Sequence, residues 1–167
     1  SFAQEISTPK GNILRIFRQT DSPVIFSLIN RNRDHLSQHG DTTSNKYPTE
    51  ISVRDSITQP SNPNKLRYGI WTPNNDYVGT INFTPDIDSH ESGEIGYYVG
   101  QEYNGKGYAT DATVALTQFL QNHGWTKQYA KVHKDNLASQ KVLQKASFLA
   151  SEEVDEEFNI KFTLVKP

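Results

Sequence analysis

Apolar residues recur at helical spacing in two long stretches of the chain. The stronger stretch runs from about Gly107 to His123, and its apolar positions are Ala109, Ala112, Leu116, Phe119 and Leu120. Gly124 stands where a left-handed residue commonly ends a helix. The other stretch follows Ser22, a suitable N-cap, and Pro23, a suitable first helical residue. Its apolar positions are Val24, Ile25, Leu28 and Ile29. Both stretches predict amphipathic helices.

Two shorter helices are predicted from weaker patterns. Residues 49–57 place Val53 and Ile57 about one turn apart. Asn136 is a good N-cap for a second helix. The small and apolar positions of that helix are Ala138, Val142, Leu143 and Ala146.

The remaining apolar residues favour β-strands. The predicted strands are residues 13–20, 66–71, 77–83, 94–99, 128–133 and 158–164. Residues 73–76 form a turn signal between the second and third of these strands, which predicts a hairpin. In the strand at 94–99, Ile95, Tyr97 and Val99 alternate with polar and small residues. We therefore expect a mixed α+β fold, with helices packed on a mostly antiparallel sheet.

The composition is that of a globular chain. Hydrophobic residues make up 34% of the 167 residues, and 8 Tyr and 8 Phe make the chain too aromatic for a disordered protein. No repeat or linker divides the sequence, so we expect residues 1–167 to form a single domain with a core at about 13–165. No apolar run approaches the roughly 18 residues of a membrane span, and no secretory signal is visible.

Charge and cysteine content exclude several classes of function. A net charge of -2 does not attract the molecule to nucleic acid or to an anionic membrane. The absence of Cys excludes disulfides, thiolate metal sites and an acyl-cysteine intermediate. The 5 His are scattered, so we expect no metal site. A cytoplasmic protein that acts as a monomer or homodimer is the default expectation.

The stretch from Val99 to Thr110 carries the clearest sign of chemistry. A strand ends there, small residues follow, and the strongest helix begins at once. A helix N-terminus exposes unpaired N–H groups and about half a positive charge, which suits a phosphate. Gly105 and Gly107 allow the backbone to approach such a ligand closely. By themselves these two glycines are equally typical of an ordinary turn into a helix.

The loop resembles that of a known enzyme family. Residues 104–109, read as Asn-Gly-Lys-Gly-Tyr-Ala, are similar to the pyrophosphate loop of the GNAT acetyltransferases, Q/R-x-x-G-x-G/A. Asn104 stands where the family has Gln or Arg. That difference leaves the backbone N–H groups of the loop intact, although it removes the usual side chain at this position.

Three other segments resemble the RimJ/RimL branch of the family, the ribosomal-protein alanine N-acetyltransferases. Residues 94–99 resemble the strand before the loop, and residues 32–36 resemble the N-R-x-H-L signature of the first helix. Residues 135–143 resemble the N-x-x-S segment, although Ser147 replaces the glycine of the G-F pair that follows it. The resemblance covers about residues 13–165. It implies a GNAT fold, with about six or seven strands flanked by about four helices.

The resemblance also implies how acetyl-CoA, the expected cosubstrate, is bound. The pantetheine arm is expected to lie along the strand before the loop, beside Tyr97, Tyr98 and Val99. Asn136 is expected to contact the same arm in addition to capping its helix. The pyrophosphate is expected at the loop and first helical turn, formed by Asn104, Gly105, Lys106, Gly107, Tyr108, Ala109 and Thr110.

Ser139 and Glu94 are the first candidates for the chemistry. In the RimL branch the serine that matches Ser139 is proposed to protonate the leaving thiolate, although Ser139 is equally a neutral residue of a first helical turn. A base is needed because an ammonium cannot attack a thioester, and Glu94 is the first candidate. The acidic run 151–157 is the second candidate, although most of its members are more typical of a solvated loop between the last helix and the last strand. His133 and His35 have no visible paired partner in the sequence, which favours surface or packing roles for both.

The resemblance implies an N-acetyltransferase that moves acetyl directly to a primary amine. By likeness to the ribosomal-protein branch, the favoured acceptor is the N-terminal amine of a protein or peptide. An α-amine has a pKa of about 7.7–8.0 against about 10.4 for lysine, so it is more easily deprotonated. The alternatives are a small amine, such as a polyamine, an amino acid or an antibiotic, and a non-catalytic domain that senses acyl-CoA.

The acceptor site is expected to involve residues 37–65, which lie between the first helix and the first hairpin. Its charge is expected to be negative and to favour a cationic amine. The acidic residues on which this expectation rests are Asp86, Asp88, Glu91, Glu94 and the run 152–157.

Overall fold

A single twisted sheet organises the protein. The computed structural model describes residues 3–165, and within them eight strands are hydrogen-bonded in the order β1-β2-β3-β4-β5-β6-β8-β7. The strands are β1 Glu5–Ser7, β2 Ile13–Ile16, β3 Leu66–Trp71, β4 Tyr77–Pro85, β5 Ser92–Val99, β6 Lys127–His133, β7 Phe148–Val154 and β8 Asn159–Leu164. Every neighbouring pair is antiparallel except β5 and β6, which run parallel.

The helices lie on both faces of this sheet. They are α1 Ser22–Arg31, α2 Thr43–Lys46, α3 Glu50–Thr58, α4 Tyr108–Asn122 and α5 Leu137–Lys145. Short 3-10 segments at Gln19–Asp21, His35–Gly40 and Gln101–Tyr103 connect them to the strands. The predicted α+β fold with a mostly antiparallel sheet is therefore confirmed.

The helix predictions agree closely with the structure. Thr49 caps α3, Asn136 caps α5, and Gly124 has a φ of 91° just after α4. The start of α1 differs by one residue, because Asp21 is its N-cap and Ser22 is already helical. A 3-10 turn before this helix also shortens β2, which ends at Ile16 rather than Thr20.

Two strands were not predicted, and the start of the last strand was placed one residue too early. β1 is only three residues long, so alternation cannot identify it. The acidic run was expected to be a loop, yet residues 151–154 belong to β7. β7 is an edge strand with mostly exposed side chains, so it tolerates charges that a central strand would not. Phe158 precedes β8 rather than beginning it, because it occupies a turn with a φ of 65°.

The alternation of side chains divides the core into two layers. Ile95 and Val99 of β5 pack with α4 and α5 in the larger cluster, which includes Leu116 and Leu143. Tyr98 points to the opposite face and packs with the cluster beneath α1 and α3, around Leu28 and Val53. β5 is therefore held from both faces, which makes its backbone a well-fixed platform.

β5 and β6 separate part of the way along their length. Their registered pairs are Ser92 with Lys127, Gly93 with Gln128, and Glu94 with Tyr129. Beyond Glu94, β5 continues to Val99 while paired only with β4 on its other side. The edge of β5 at residues 95–99 therefore faces a wedge-shaped gap.

None of the helices at residues 3–165 is both long enough and apolar enough to span a bilayer.

Close packing of β4 against β5 predicts a large effect of a single methyl group. A Cβ on Gly79 would collide with the carbonyl oxygen of Tyr98 and lie 2.9 Å from the Cα of Val99. Gly79→Ala must therefore push β5 away, and we expect a loss of about 1–3 kcal/mol in unfolding free energy, measured by urea denaturation. In the control Gly96→Ala, the new Cβ meets only the side-chain oxygen of Asn82 at 3.3 Å, so the loss should stay below about 1 kcal/mol. Equal losses in the two variants would contradict this account.

Candidate active site

A cavity of about 820 Å³ opens where β5 and β6 separate. All of the site residues predicted from the sequence line this cavity, with the exception of the exposed Lys106. The residues that line it include Glu94, Tyr97, Val99, Gly107, Asn136 and Ser139. The fold thus brings together segments that are up to 45 residues apart in sequence, counted from Glu94 to Ser139.

One end of the cavity is formed by the loop before α4. Gly105 and Gly107 have φ values of 74° and 83°, in the left-handed region that glycine adopts without strain. α4 begins immediately afterwards at Tyr108, and its first residues line the cavity. The first N–H groups of a helix have no partner within it, so this end of the cavity is suited to an anion such as a phosphate.

The opposite wall carries a hydrogen-bonded pair of hydroxyl groups. Ser139 lies in the first turn of α5, where its N–H donates to the capping oxygen of Asn136 at 3.2 Å. The Tyr97 hydroxyl lies 2.7 Å from Ser139 Oγ and donates to the Ser139 carbonyl oxygen at 3.1 Å. Burial raises the pKa of Tyr97 to about 12, although its hydrogen bond to Ser139 acts in the other direction. The phenol therefore stays protonated at neutral pH. Its single proton can point to the Ser139 carbonyl oxygen, in which case Ser139 Oγ donates to the phenol, or to Ser139 Oγ itself.

Glu94 stands at the point where the two strands separate. By alternation along β5 its side chain belongs to the face opposite Tyr97. Burial raises the pKa of Glu94 above its ordinary value, as does Asp86, whereas Lys131, Lys65 and Lys161 oppose the rise. A carboxylate with a raised pKa is a better proton acceptor than a fully solvated one.

The surroundings of Glu94 are basic rather than acidic. Burial lowers the pKa of Lys65, the nearby Lys46 and Arg67 lower it further, and Glu94 acts against them. The Arg67 guanidinium stacks over the ring of Phe17 at 4.9 Å and over that of Tyr47 at 5.4 Å. These cations come largely from the segment 37–65 that was expected to shape the acceptor site.

Most of the acids expected around the acceptor lie elsewhere. Glu91 is ion-paired with Lys127 at 2.8 Å, and both are exposed. The run 152–157 lies on and after β7, which β6 and β8 separate from β5. Asp86 is close to Glu94, but it accepts a hydrogen bond from the Tyr129 hydroxyl at 2.6 Å. The expectation of an acidic acceptor pocket is thus not met by the arrangement of these residues.

Tyr98 supports the strand from the other face. Its hydroxyl accepts a hydrogen bond from Thr80 at 3.0 Å and lies 3.1 Å from the Tyr77 hydroxyl. Burial raises the pKa of Tyr98, so the phenol remains neutral. This network ties β4 and β5 together beneath α1, away from Ser139. Backbone contact between Tyr98 and a ligand therefore stays a prediction.

The segment 32–36 has a clear physical role at this site. Asn32 is buried, and its side-chain oxygen accepts a hydrogen bond from the Gln101 N–H at 2.9 Å. His35 Nε2 lies 3.3 Å from the Val99 carbonyl oxygen. Arg33 donates to the Ser44 and Tyr47 carbonyl oxygens, both at 2.9 Å. These contacts hold the end of β5 and the segment that follows α1 at fixed positions around the cavity.

The sequence did not identify residues 35–40 as one segment that lines the cavity. The 3-10 segment His35–Gly40 closes one side of the cavity, and the His39 ring lies 5.2 Å from the His133 ring. No periodic pattern marks such a segment, because His39 has a φ of 55° and interrupts the helical turn. Across residues 3–165, no three His, Asp or Glu side chains come together as metal ligands.

Comparison with known proteins identifies the family. The acetyltransferase (GNAT) domain profile matches residues 13–149, which is most of the chain. The chain therefore belongs to the GNAT acetyltransferases, and it is an enzyme of that class. It is 28% identical over 145 residues to "Probable N-acetyltransferase YjcK" of Bacillus subtilis, covering 81% of this chain and 78% of that protein.

Two solved structures are similar in fold. The RimL ribosomal L7/L12 alpha-N-protein acetyltransferase in complex with coenzyme A superposes with a TM-score of 0.83 at 18% identity, covering 96% of this chain and 97% of that one. The microcin C7 self-immunity acetyltransferase MccE, in complex with acetyl-CoA and AMP, gives a TM-score of 0.75 at 20% identity, covering 93% of this chain and 92% of that one. At these identities the likeness establishes the fold alone.

The raised pKa of Glu94 predicts a pH-dependent effect on stability. The folded state holds the Glu94 proton more tightly than the unfolded state, so ionising this carboxyl costs stability as pH rises from the ordinary value of 4.5 through the folded value. Glu94→Gln stays neutral at every pH. It should therefore have a higher thermal midpoint than the wild type at pH 7, and the difference should vanish below about pH 4.

Glu102→Gln is the matched control with the opposite sign. Although partial burial alone would raise the pKa of Glu102, hydrogen bonds from its own N–H, Arg31 and Asn32 lower it. Glu102→Gln should therefore lose stability at pH 7 and converge on the wild type at low pH. If Glu94→Gln is destabilised at pH 7 in the same way as Glu102→Gln, the folded protein stabilises the ionised form of Glu94, and the pKa of this carboxyl group is lowered rather than raised.

Proposed function

We propose that this enzyme transfers acetyl from acetyl-CoA directly to a primary amine, with the N-terminal amine of a protein or peptide as the favoured acceptor. The observation that carries the proposal is the Tyr97–Ser139 hydroxyl pair. This pair lies in the same cavity as the left-handed glycine loop and a carboxylate of raised pKa. An anion site, a proton donor and a proton acceptor are the groups that acyl transfer from a phosphorylated thioester requires.

The residues of the cavity fit this cosubstrate. Acetyl-CoA would supply an activated acetyl thioester together with negatively charged phosphates. The loop at Gly105 and Gly107 and the first turn of α4 would hold the phosphates through backbone N–H groups. The unpaired edge of β5 at residues 95–99 would hold the amide-containing arm by strand-like hydrogen bonds. Asn136 remains a proposed contact, because its oxygen already caps α5.

Glu94 would act on the acceptor amine. An ammonium has no lone pair, so a proton must leave before nitrogen can attack the thioester carbon. The raised pKa of Glu94 allows it to take this proton directly or through a water molecule. An α-amine is more easily deprotonated than a lysine amine, because its pKa is about 2.5 units lower. This difference supports an N-terminal amine as the acceptor.

Ser139 would act on the leaving group. When the carbon–sulfur bond breaks, the sulfur would take a proton from Ser139 Oγ, and the Tyr97 hydroxyl would replace it along their 2.7 Å contact. The tyrosinate would then recover a proton from solvent. Tyr97 then serves as a positioning residue, because it acts through Ser139. No acyl-cysteine intermediate is available, since the sequence contains no Cys. This supports a direct transfer with both substrates bound at once.

The charges near Glu94 refine the class of acceptor. Lys65 is half-buried, its pKa is lowered by burial and by two neighbouring cations, and no acidic side chain of residues 3–165 pairs with it within salt-bridge distance. A neighbouring anion would stabilise the charged form of such a lysine. We therefore propose an acceptor whose amine is close to an acidic group, such as a peptide with an acidic residue near its N-terminus.

The sequence alone left two other functions open. A small amine that carries a carboxylate or phosphate would satisfy the same charges, and MccE, which has a similar fold, is described in complex with AMP. A non-catalytic acyl-CoA sensor would use the phosphate site alone. The Tyr97–Ser139 pair favours an enzyme over a sensor, because binding the cosubstrate requires no proton donor at that position.

The first test measures amine-dependent release of free thiol from acetyl-CoA. With a peptide bearing a free N-terminal amine, Ser139→Ala should lower kcat about ten- to hundredfold while the Kd for coenzyme A stays within about twofold of the wild type. Tyr97→Phe should give a smaller loss, and the double variant should be no worse than Ser139→Ala, because both act on one proton. Ser151→Ala, an exposed serine of β7, is the control.

Two results would count against this mechanism. An unchanged kcat in Ser139→Ala would mean that solvent protonates the sulfur. Coenzyme A binding without thiol release for any peptide, polyamine or amino acid would favour the sensor.

The second test compares two peptides that differ only at their second residue, which is either Glu or Lys. We expect kcat/KM to favour the Glu peptide by about fivefold at low salt, and the preference should shrink as ionic strength rises. Lys65→Gln should abolish most of the preference by raising KM for the Glu peptide alone. Arg54→Gln, which changes an exposed cation of α3, should preserve it. A preference for the Lys peptide in the wild type would restore the acidic-pocket hypothesis.

A further inference from the structure

The turn between β1 and β2 is fastened to the first turn of α4. Asp111 of α4 is only 4% exposed, and three groups of the turn donate hydrogen bonds to its carboxylate. These are the Thr8 hydroxyl, the Lys10 N–H at 3.0 Å and the Asn12 side-chain amide at 2.8 Å. From the sequence alone, an acidic residue at this position is only a favourable charge in the first turn of a helix. Its main contacts are instead with residues about 100 positions earlier in the chain.

The turn itself is rigidly built. The Thr8 N–H donates to the Asn12 carbonyl oxygen at 2.9 Å, and the Gly11 N–H donates to the Thr8 carbonyl oxygen at 3.0 Å. Gly11 has a φ of 85°, which glycine adopts without strain. Because a buried carboxylate with all its donors in place is costly to disrupt, the backbone of Lys10 has a fixed position relative to α4.

This arrangement brings the Lys10 ammonium to the glycine loop. A Cβ built on Gly107 would lie 2.8 Å from Lys10 Nζ. Lys10 is exposed, and within residues 3–165 no carboxylate lies within salt-bridge distance of its ammonium. A cation is thus held beside the N-terminus of α4, where the partial charge of the helix is also positive. Two positive groups that face the same point favour an anion between them.

We propose that Lys10 binds a phosphate group of the cosubstrate, with the pyrophosphate as the nearest candidate. The inference rests on the proposed use of acetyl-CoA. The Lys10 ammonium beside Gly107 would contact the phosphate together with the first backbone N–H groups of α4. Lys10 therefore adds a side-chain cation to a site whose family motif is made of backbone, and it compensates for Asn104 at the position where the family has Gln or Arg.

The test is calorimetric titration of coenzyme A, which requires no turnover. Lys10→Gln should weaken binding about three- to tenfold, Lys10→Glu should weaken it further, and Lys10→Arg should retain most of the affinity. The dependence of affinity on ionic strength should become less steep in Lys10→Gln. Lys127→Gln, which removes an exposed charge beyond the opposite end of α4, should leave both quantities unchanged.

Shorter ligands separate the contributions of the phosphates. Pantetheine has no phosphate, so its affinity should be the same in Lys10→Gln and the wild type. If Lys10→Gln weakens the binding of 3′-dephospho-coenzyme A by the same factor as the binding of coenzyme A, the result supports contact with the pyrophosphate. The absence of a loss with this ligand would move the contact to the 3′-phosphate and overturn the pyrophosphate assignment.

Unchanged coenzyme A affinity in Lys10→Gln would overturn the proposal outright, as would an equal loss for pantetheine. Either result would leave the proposed acetyl transfer intact. Failure of the wild type to bind coenzyme A would instead overturn the proposed function and this inference together. Thermal unfolding of each variant shows whether a loss of affinity comes from a loss of fold.

Discussion

The separation of β5 from β6 is the constraint on which the rest of the molecule depends. After three registered pairs, β5 keeps its hydrogen bonds to β4 alone, and the gap on its other edge becomes the cavity. An open strand edge inside a protein leaves backbone N–H and C=O groups without partners, which is unfavourable unless a ligand or water satisfies them. The fold therefore contains a cavity suited to a ligand because its own sheet is incomplete at this position.

Holding such a gap open requires support from both faces and from the end of the strand. α4 and α5 pack against Ile95 and Val99 on one face, and the Tyr77–Thr80–Tyr98 network ties β5 to β4 on the other. Contacts from Asn32 and His35 fix the residues where β5 ends. These groups have no direct part in the chemistry that we propose. Their effect is to position Glu94 on one side of the gap and the Tyr97–Ser139 pair on the other.

The electrostatic character of the cavity has two parts. At the glycine loop, a helix N-terminus and the Lys10 ammonium give a positive end suited to phosphate. Near Glu94, lysines from different segments outnumber the two carboxylates Glu94 and Asp86, and burial raises the pKa of Glu94. In the function that we propose, Glu94 accepts a proton while the neighbouring lysines attract an anionic acceptor. Neither environment follows from the overall charge of -2, because the local arrangement of charges rather than their sum determines the potential in a cleft.

The sequence by itself determined the long helices, the central strands and the glycine loop before α4. Each of these is encoded by neighbouring residues, through spacing, capping at Thr49 and Asn136, or glycines at left-handed positions. It did not reveal β1 and β7, because a three-residue strand and an exposed edge strand show no alternation. Only the tertiary structure decided which charges meet. Asp111 contacts the turn at residues 8–12, the acids of β7 lie far from Glu94, and Lys65 lies near it. Hydrogen bonds and charge interactions act through space, so they depend on sheet order and strand register, and no local pattern in the chain encodes those pairings.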